Sequence, residues 1–317
     1  MQSYSLNGYL NAVLRRTGKT LLVEGVTDQS VMTRLKRERS AQLGFEPIGS
    51  IDVSALVQDV KTQGFGKKEV VRLTIAEIDS LPEHIAQKIK PKLGVLFDRE
   101  WDGLNVEMQL VAPWAAPEQN TPYFVTTGHS VENYFFKIDV IEAYLRQNFY
   151  LYLDQNFFNT LRGRFNYVIA LAATYSLAVR YVSAITRSSG LIGNQHVFWT
   201  GGRYIMQEAV VTDLVSRGAV LPDDFLRLIN SNIDVHLATH VEAEPGRWLC
   251  HGHLGEEAIW ACISNLASEL GMSAEVVRNI ERGYKELRLN HAIDHLSRAP
   301  ANESAPLDSA VDWLIAT

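Results

Sequence analysis

Two short apolar runs predict buried β-strands in the first hundred residues. They are TLLV at residues 20–23 and LGVLF at residues 93–97, and each is bounded by polar residues. Continuous apolar runs of this length are typical of strands that are covered on both faces. The intervening residues show helical periodicity, including an amphipathic stretch at residues 6–17 and a helix that Asp28 would open. A third short strand is expected in YFVTTG, residues 123–128. Strands separated by helices predict an α/β fold with a mostly parallel sheet flanked by helices.

The pattern changes near residue 138. Residues 138–235 show helical spacing with many aromatic residues, for example in DVIEAYLRQNFYLYL, and predict a largely helical second domain. The later stretch GRWLCHGHLG, residues 246–255, predicts one more short strand that turns into a helix. We therefore expect a first domain at 1–137, a helical insertion at 138–235, and a return to the first core with C-terminal helices at 236–317.

Composition narrows the class of protein. The chain has 317 residues, of which 46% are hydrophobic and 21% charged, as expected for a globular protein of one or two domains. We find no apolar run long enough to span a membrane, and the first residues lack the order of a secretion signal. Two cysteines are too few for a disulfide framework. These features predict a cytoplasmic protein that has no membrane partner.

The net charge of −6 at first argues against nucleic acid as a partner, but the charge is unevenly distributed. Residues 1–137 carry 16 basic and 16 acidic side chains, whereas residues 228–317 carry 6 basic and 13 acidic ones. A basic surface therefore remains open in the first two thirds of the chain.

Carboxylates follow the predicted strands. Glu24 directly follows TLLV, Asp28 lies four residues later, Asp98 and Glu100 follow LGVLF, and Glu132 lies in GHSVENYFF. If the first two strands are neighbours in a parallel sheet, their acidic groups meet at one edge, where such sheets bind ligands. Strand alternation would place Asp98 and Glu100 on one face. Five hard oxygen ligands suit Mg²⁺, and their number suits two ions. The alternatives are a solvated turn for the 98–102 run, a helix cap for Asp28, and an incidental Glu132.

Several weaker patterns have two interpretations. Arginines beside aromatic rings are candidates for nucleic-acid binding, although most of the rings have the spacing of core residues: Arg162, Arg164, Arg187 and Arg203. GFGKK, residues 64–68, offers glycine N–H groups and two lysines to a phosphate, but it lacks the full P-loop spacing and favours a surface loop. Cys250 supplies one thiol beside two histidines, too little for a closed zinc site.

The motifs VEGVTD and FDRE resemble those of the TOPRIM fold, which topoisomerases, primases and OLD-family nucleases share. With HSVENYFF and WLCHGHLG, the chain more specifically resembles OLD-related TOPRIM nucleases that are encoded beside an ABC-type ATPase in bacterial anti-phage loci. Length and motif order are most similar to the effector subunits of the PARIS type of defence system. The resemblance covers about residues 20–140 and 247–265, and the chain departs from the usual pattern in having Glu at position 100.

The resemblance implies roles for these residues. Glu24 would be a metal ligand and general base, and Asp28, Asp98, Glu100 and Glu132 would be further metal ligands. OLD-type nucleases use a late lysine near the leaving group, and His253 would take its place, with His251 as the less favoured alternative. The cofactor would be Mg²⁺, as one or two ions, with Mn²⁺ as a substitute.

The resemblance also implies partners. It predicts a toxic effector that an ABC-type ATPase subunit holds silent until infection and that then cuts nucleic acid, tRNA first and DNA second. A homodimer is left open. The alternative is a TOPRIM-derived module that binds an ATPase partner or phosphate and cuts nothing. A primase or topoisomerase fragment is disfavoured, because no tyrosine-bearing cleavage domain is recognisable.

Overall fold

The computed structural model describes residues 3–44, 46, 48–108, 114–240 and 245–316. The strands are numbered in chain order: β1 (Thr20–Val23), β2 (Ser50–Val53), β3 (Leu93–Phe97), β4 (Tyr123–Val125), β5 (Val197–Thr200) and β6 (Arg203–Met206). The helices are α1 (Leu6–Arg15), α2 (Val26–Leu43), α3 (Lys67–Asp79), α4 (Glu83–Ile89), α5 (Ile138–Phe149), α6 (Gln155–Tyr181), α7 (Ile185–Ser188), α8 (Glu208–Ser216), α9 (Phe225–His240), α10 (Pro245–Leu249), α11 (Gly252–Glu269), α12 (Ala274–Arg282), α13 (Lys285–Arg298), α14 (Ala301–Ser304) and α15 (Leu307–Ile315).

The chain divides into two compact units. Unit 1 comprises residues 1–99, 116–127 and 293–317, and unit 2 comprises residues 100–115 and 128–292. These boundaries differ from the predicted ranges 1–137, 138–235 and 236–317.

Unit 1 contains a four-stranded parallel sheet with the order β2-β1-β3-β4. The expected α/β class and the parallel sheet are therefore confirmed. In the central pair, Val23 of β1 is level with Leu96 of β3. The two strands consequently end side by side, and the residues that follow them come out at the same edge.

Helices cover both faces of this sheet. Helices α1, α3 and α4 pack on a core that includes Leu22, Leu93 and Val95. Helix α15 packs against α2, β1 and β3, and the ring of Trp313 lies against Gly94. A Cβ atom on Gly94 would lie 2.5 Å from that ring, so only glycine allows this close approach.

Unit 2 is mainly helical and is built around α6, which packs against α9, α10 and α11. Its core includes a run in α6 that is buried on every side, from Ala170 to Val179. Most of these residues are small or aliphatic, and the hydroxyls of Thr174 and Ser176 bond to carbonyls within α6. A helix that is apolar all round belongs inside a protein, and the neighbouring helices provide that interior. The unit also contains the antiparallel pair β5 and β6.

Three local expectations differ from the structure. The predicted strand in GRWLCHGHLG is wrong, because these residues form α10 and the start of α11. The hairpin β5–β6 lies within the range expected to be helical. Its strands have four residues each, too few for their alternation to stand out from the surrounding pattern. Strand β2 was not predicted either.

No helix within the described ranges has both the length and the apolar character that crossing a membrane requires.

Candidate functional site

The ends of β1 and β3 are linked by Glu24. This residue directly follows β1, and its side chain is buried, with 8% of its surface exposed. Its Oε1 accepts a hydrogen bond of 3.0 Å from the backbone N–H of Asp98, the residue after β3. Its backbone carbonyl accepts a bond of 2.7 Å from the Ser54 hydroxyl, which follows β2. The residues that follow three parallel strands thus meet at one edge, with two carboxylates among them.

Asp28 lies at the same edge but begins no helix. Helix α2 starts at Val26 with Gly25 as its N-cap, so Asp28 is the third helical residue. Its Oδ2 accepts a bond of 2.7 Å from the N–H of Gly25, and its side chain is buried. The helix therefore begins at Val26, two residues before the expected start at Asp28. The carboxylate still stabilises the helix start, because it accepts an N–H that no helical carbonyl can reach.

Cationic side chains border these carboxylates. Lys67 and Lys68 begin α3, and Lys68 Nζ donates to the carbonyl of Arg99 at 3.2 Å. Lys67 Nζ lies 3.4 Å from the point that a Cβ on Gly25 would occupy. Arg99 is buried, and its guanidinium donates to the carbonyl of Thr127 at 3.3 Å. The GFGKK segment thus places its two lysines beside the carboxylates, which its spacing alone did not indicate.

Glu100 does not continue β3. The strand ends at Phe97, and Glu100 has a φ of 54°, in the left-handed region. Its N–H donates to the carbonyl of His129 at 2.7 Å, inside unit 2. Strand alternation therefore does not extend from Asp98 to Glu100, and it does not place their side chains on one face.

Glu132 and His253 approach each other in unit 2. Glu132 lies in the 3₁₀ helix Val131–Phe135, and His253 lies in the first turn of α11. His253 Nδ1 is 3.8 Å from Glu132 Oε1, with 68% of the histidine side chain and 13% of the glutamate side chain exposed. At this distance the two groups form a long ion pair when the imidazole is protonated, and they are too far apart for a direct hydrogen bond.

Asn133 holds these two segments together. Its side-chain amide donates to the carbonyls of Arg247 at 2.6 Å and Cys250 at 2.9 Å. Its Oδ1 accepts from the N–H of Ser130 at 2.8 Å. The residue is fully buried. Sequence reasoning missed Asn133, because a buried asparagine that bonds distant backbone groups gives no local pattern.

A cluster of aromatic rings in edge-to-face and tilted contact lies beside this pair. The rings of Trp101 and His129 are 4.4 Å apart between centroids, as are those of His129 and His251. Burial, together with the neighbouring His253, lowers the pKa of His251 to about 4. His251 is therefore neutral at pH 7. Its Nδ1 accepts from the N–H of Leu254 at 3.5 Å and caps α11.

Three of the four arginines expected to bind nucleic acid make intramolecular ion pairs. Arg164 forms bonds of 2.6 and 2.8 Å to Glu269 and stacks on Trp199. Arg162 pairs with Glu142, and Arg203 with Asp234. Arg187 is exposed near the end of α7. These contacts give the three paired arginines structural roles within unit 2.

Burial and hydrogen bonding act in opposite directions on the pKa of Glu142. Burial raises the pKa of Glu142, but the hydrogen bonds from Arg162 and Arg146 outweigh it and hold that pKa below its ordinary value.

The surroundings of Cys250, the thiol beside the histidines, disfavour zinc binding. Cys250 is fully buried, and burial raises its pKa well above the ordinary value. A thiol must lose its proton to bind zinc, so these surroundings oppose the zinc interpretation.

The predicted site residues fall on both units. Glu24, Asp28 and Asp98 belong to unit 1, and Glu100, Glu132 and His253 belong to unit 2. Among the residues that the structure describes, no three or more His, Cys, Asp or Glu side chains form a group that could hold a metal ion. The unit 1 set nonetheless has the chemistry that Mg²⁺ requires. Glu24 and Asp28 are buried carboxylates, and this ion commonly takes one or two of them together with several waters.

Comparison with models of known protein families finds no match for this chain. Comparison with functionally characterised proteins finds none with significant similarity.

Proposed function

We propose that this protein is a Mg²⁺-dependent nuclease of the TOPRIM type that hydrolyses phosphodiester bonds. The observation that carries the proposal is the buried Glu24 at the end of β1, bonded to the N–H of Asp98 at the end of the neighbouring parallel strand. Carboxylate oxygens are the ligands that Mg²⁺ takes in proteins, usually one or two of them together with several waters. The end of β1 offers such a carboxylate beside a second acidic residue.

Glu24, Asp28 and Asp98 would hold the ion in unit 1. When bound, Mg²⁺ stabilises negative charge on a scissile phosphate and makes a nucleophile available at neutral pH. The Asp98 N–H orients the Glu24 carboxylate through one of its oxygens, at the edge where the metal would bind. Lys67 and Lys68 would hold a phosphate of the substrate beside the carboxylates.

The biological role rests on the resemblance to OLD-related TOPRIM nucleases. It supports a cytoplasmic effector of anti-phage defence, controlled by an ABC-type ATPase, with tRNA as the first substrate to test and DNA as the second. The ligand roles of Glu100 and Glu132 and the leaving-group role of His253 stay predictions, and each needs a variant of its own. Arg187 makes none of the ion pairs described above, and it stays a predicted contact with nucleic acid.

The test is a cleavage assay with a conservative variant. Purified protein is incubated with total tRNA or plasmid DNA in Mg²⁺, Mn²⁺ or EDTA. We expect cleavage that EDTA abolishes and that Glu24→Gln lowers at least about 100-fold, the scale typical of losing a group that acts on the transition state. The glutamine retains an oxygen to accept the Asp98 N–H, so the fold should survive.

Glu77→Gln is the matched control. Glu77 lies in α3 of the same unit and pairs with Lys61 at 2.9 Å. Wild-type cleavage by Glu24→Gln would exclude Glu24 from the mechanism. If wild type is inactive with every substrate, the assay is repeated after co-expression with an ABC-type ATPase from a neighbouring gene. Inactivity there as well would favour the binding module, which cuts nothing.

A further inference from the structure

A cavity of about 490 Å³ opens on the surface of unit 1. It is open to solvent and is lined by the 3₁₀ helices Ser54–Leu56 and Val60–Thr62 and by the start of α3. Its volume lies within the range of about 300 to 1,000 Å³ that is usual for small-molecule sites. The cavity is therefore large enough for one nucleobase and part of its sugar.

The cavity adjoins the carboxylate edge. Ser54 lines it, and the hydroxyl of this residue donates to the carbonyl of Glu24 at 2.7 Å. Lys67 also lines it, and its ammonium group lies next to Gly25, the residue after Glu24. A ligand in the cavity consequently contacts two residues that border the backbone at Glu24 and Gly25, and one of them, Lys67, is a cation.

The lining combines apolar walls with amide groups and one carboxylate, that of Asp59, which accepts from the N–H groups of Leu6 and Lys61. Val57, Val60, Phe65 and Val70 provide the apolar part, and Gln58 and Gln63 provide donors and acceptors. Phe65 is 55% exposed and Val60 is 87% exposed. An aromatic ring and an aliphatic side chain at the mouth of a cavity offer the surfaces between which an unpaired base stacks. The amides match the polar edge of a base, and Lys67 matches its phosphate.

We propose that this cavity binds the base of an unpaired nucleotide next to the phosphate that is cut. This inference rests on the proposed nuclease function and adds its substrate class. The enzyme selects single-stranded or looped nucleic acid, because a base inside a duplex cannot enter the cavity without being unpaired. Phe65 stacks on the base, and Lys67 aligns the adjoining phosphate with the edge that carries Glu24.

The experiment compares two fluorescein-labelled RNA dodecamers by fluorescence anisotropy in EDTA, where metal-dependent cleavage does not occur. One is a single strand with all its bases, and the other has the same sugar–phosphate chain without bases. Both carry the same charge, so a difference in affinity reports base binding. We expect wild type to bind the intact strand about tenfold more tightly. Phe65→Ala should reduce the preference to less than about threefold, and Val60→Ser should weaken it in the same direction.

Phe198→Ala is the matched control, since Phe198 is an aromatic residue that is 50% exposed in unit 2. Equal binding of both strands by wild type would overturn the base site, and so would a preference that survives in Phe65→Ala. The cleavage assay with Glu24→Gln decides the nuclease proposal independently. Cleavage without a base preference removes only the cavity's role, and a Phe65-dependent preference without cleavage removes only the nuclease.

Discussion

Asn133 connects the segment that carries Glu132 to the segment that precedes α11. Replacing it with alanine removes an acceptor for the Ser130 N–H and donors for the Arg247 and Cys250 carbonyls. The Arg247 carbonyl retains one partner, because it also accepts from the N–H of Cys250. Asn133→Ala therefore leaves two backbone groups without their partners: the Ser130 N–H and the Cys250 carbonyl.

Each buried polar group that loses its partner costs about 1–3 kcal/mol. Allowing for relaxation around the smaller side chain, we expect a loss of about 3 kcal/mol in the free energy of unfolding. For a domain of 150 to 250 residues, about 1 kcal/mol corresponds to a Tm change of 2–4 °C. The expected decrease in Tm is therefore about 6–12 °C.

The assay is thermal unfolding followed by circular dichroism, with Asn148→Ala as the control. The amide of Asn148 donates to a carbonyl in its own helix, that of Tyr144. Losing that bond should lower the Tm by less than about 2 °C. A Tm for Asn133→Ala within about 2 °C of wild type would refute the reasoning, since it would mean that these groups find other partners at no cost.

Three further predictions concern the rest of the molecule. Gly94→Ala places a Cβ 2.5 Å from a tryptophan ring of α15 and should destabilise unit 1 by about 1–3 kcal/mol. The control, Gly163→Ala, adds a Cβ that meets no atom within 4 Å and should be neutral or stabilising. Urea unfolding compares the stability of the two variants. His251 binds its proton less readily when folded, with a pKa of about 4 against 6.5, so its contribution to stability is complete above pH 6.5 and is lost as the pH falls towards 4. His251→Asn keeps a capping oxygen and should make the Tm of the protein less dependent on pH in that window. Arg164→Ala breaks the pair with Glu269 and should lower stability by about 2 kcal/mol while leaving RNA affinity unchanged in anisotropy titrations, and a selective loss of affinity would restore its predicted role in nucleic-acid binding.

Local pattern was enough to predict three of the four strands of the sheet and the position of Glu24. The run TLLV has the length and composition of a buried strand, so an acid directly after it is expected at the strand end. The same reasoning failed at Glu100, because a left-handed backbone residue turns the chain out of the strand direction and interrupts the alternation. The approach of Lys67 to Gly25 was not predictable, since it depends on how α3 packs within unit 1.

The arginines show a second limit of sequence reasoning. Arginine beside an aromatic ring has the same local pattern whether the ring stacks on a base or on the arginine itself. Only the long-range partner, Glu269 for Arg164, distinguishes a structural pair from a binding surface, and that partner lies 105 positions away.

The position of α15 in unit 1 has a consequence for synthesis on the ribosome. Strand β4 ends at Val125, whereas α15 begins at Leu307, and most of the residues translated between them belong to unit 2. At a translation rate of about 5–20 residues per second, α15 is synthesised on the order of 10–40 s after β4. During that interval the sheet face that Trp313 will cover has no partner from α15. The growing chain therefore exposes an apolar surface of the sheet until unit 2 has been translated.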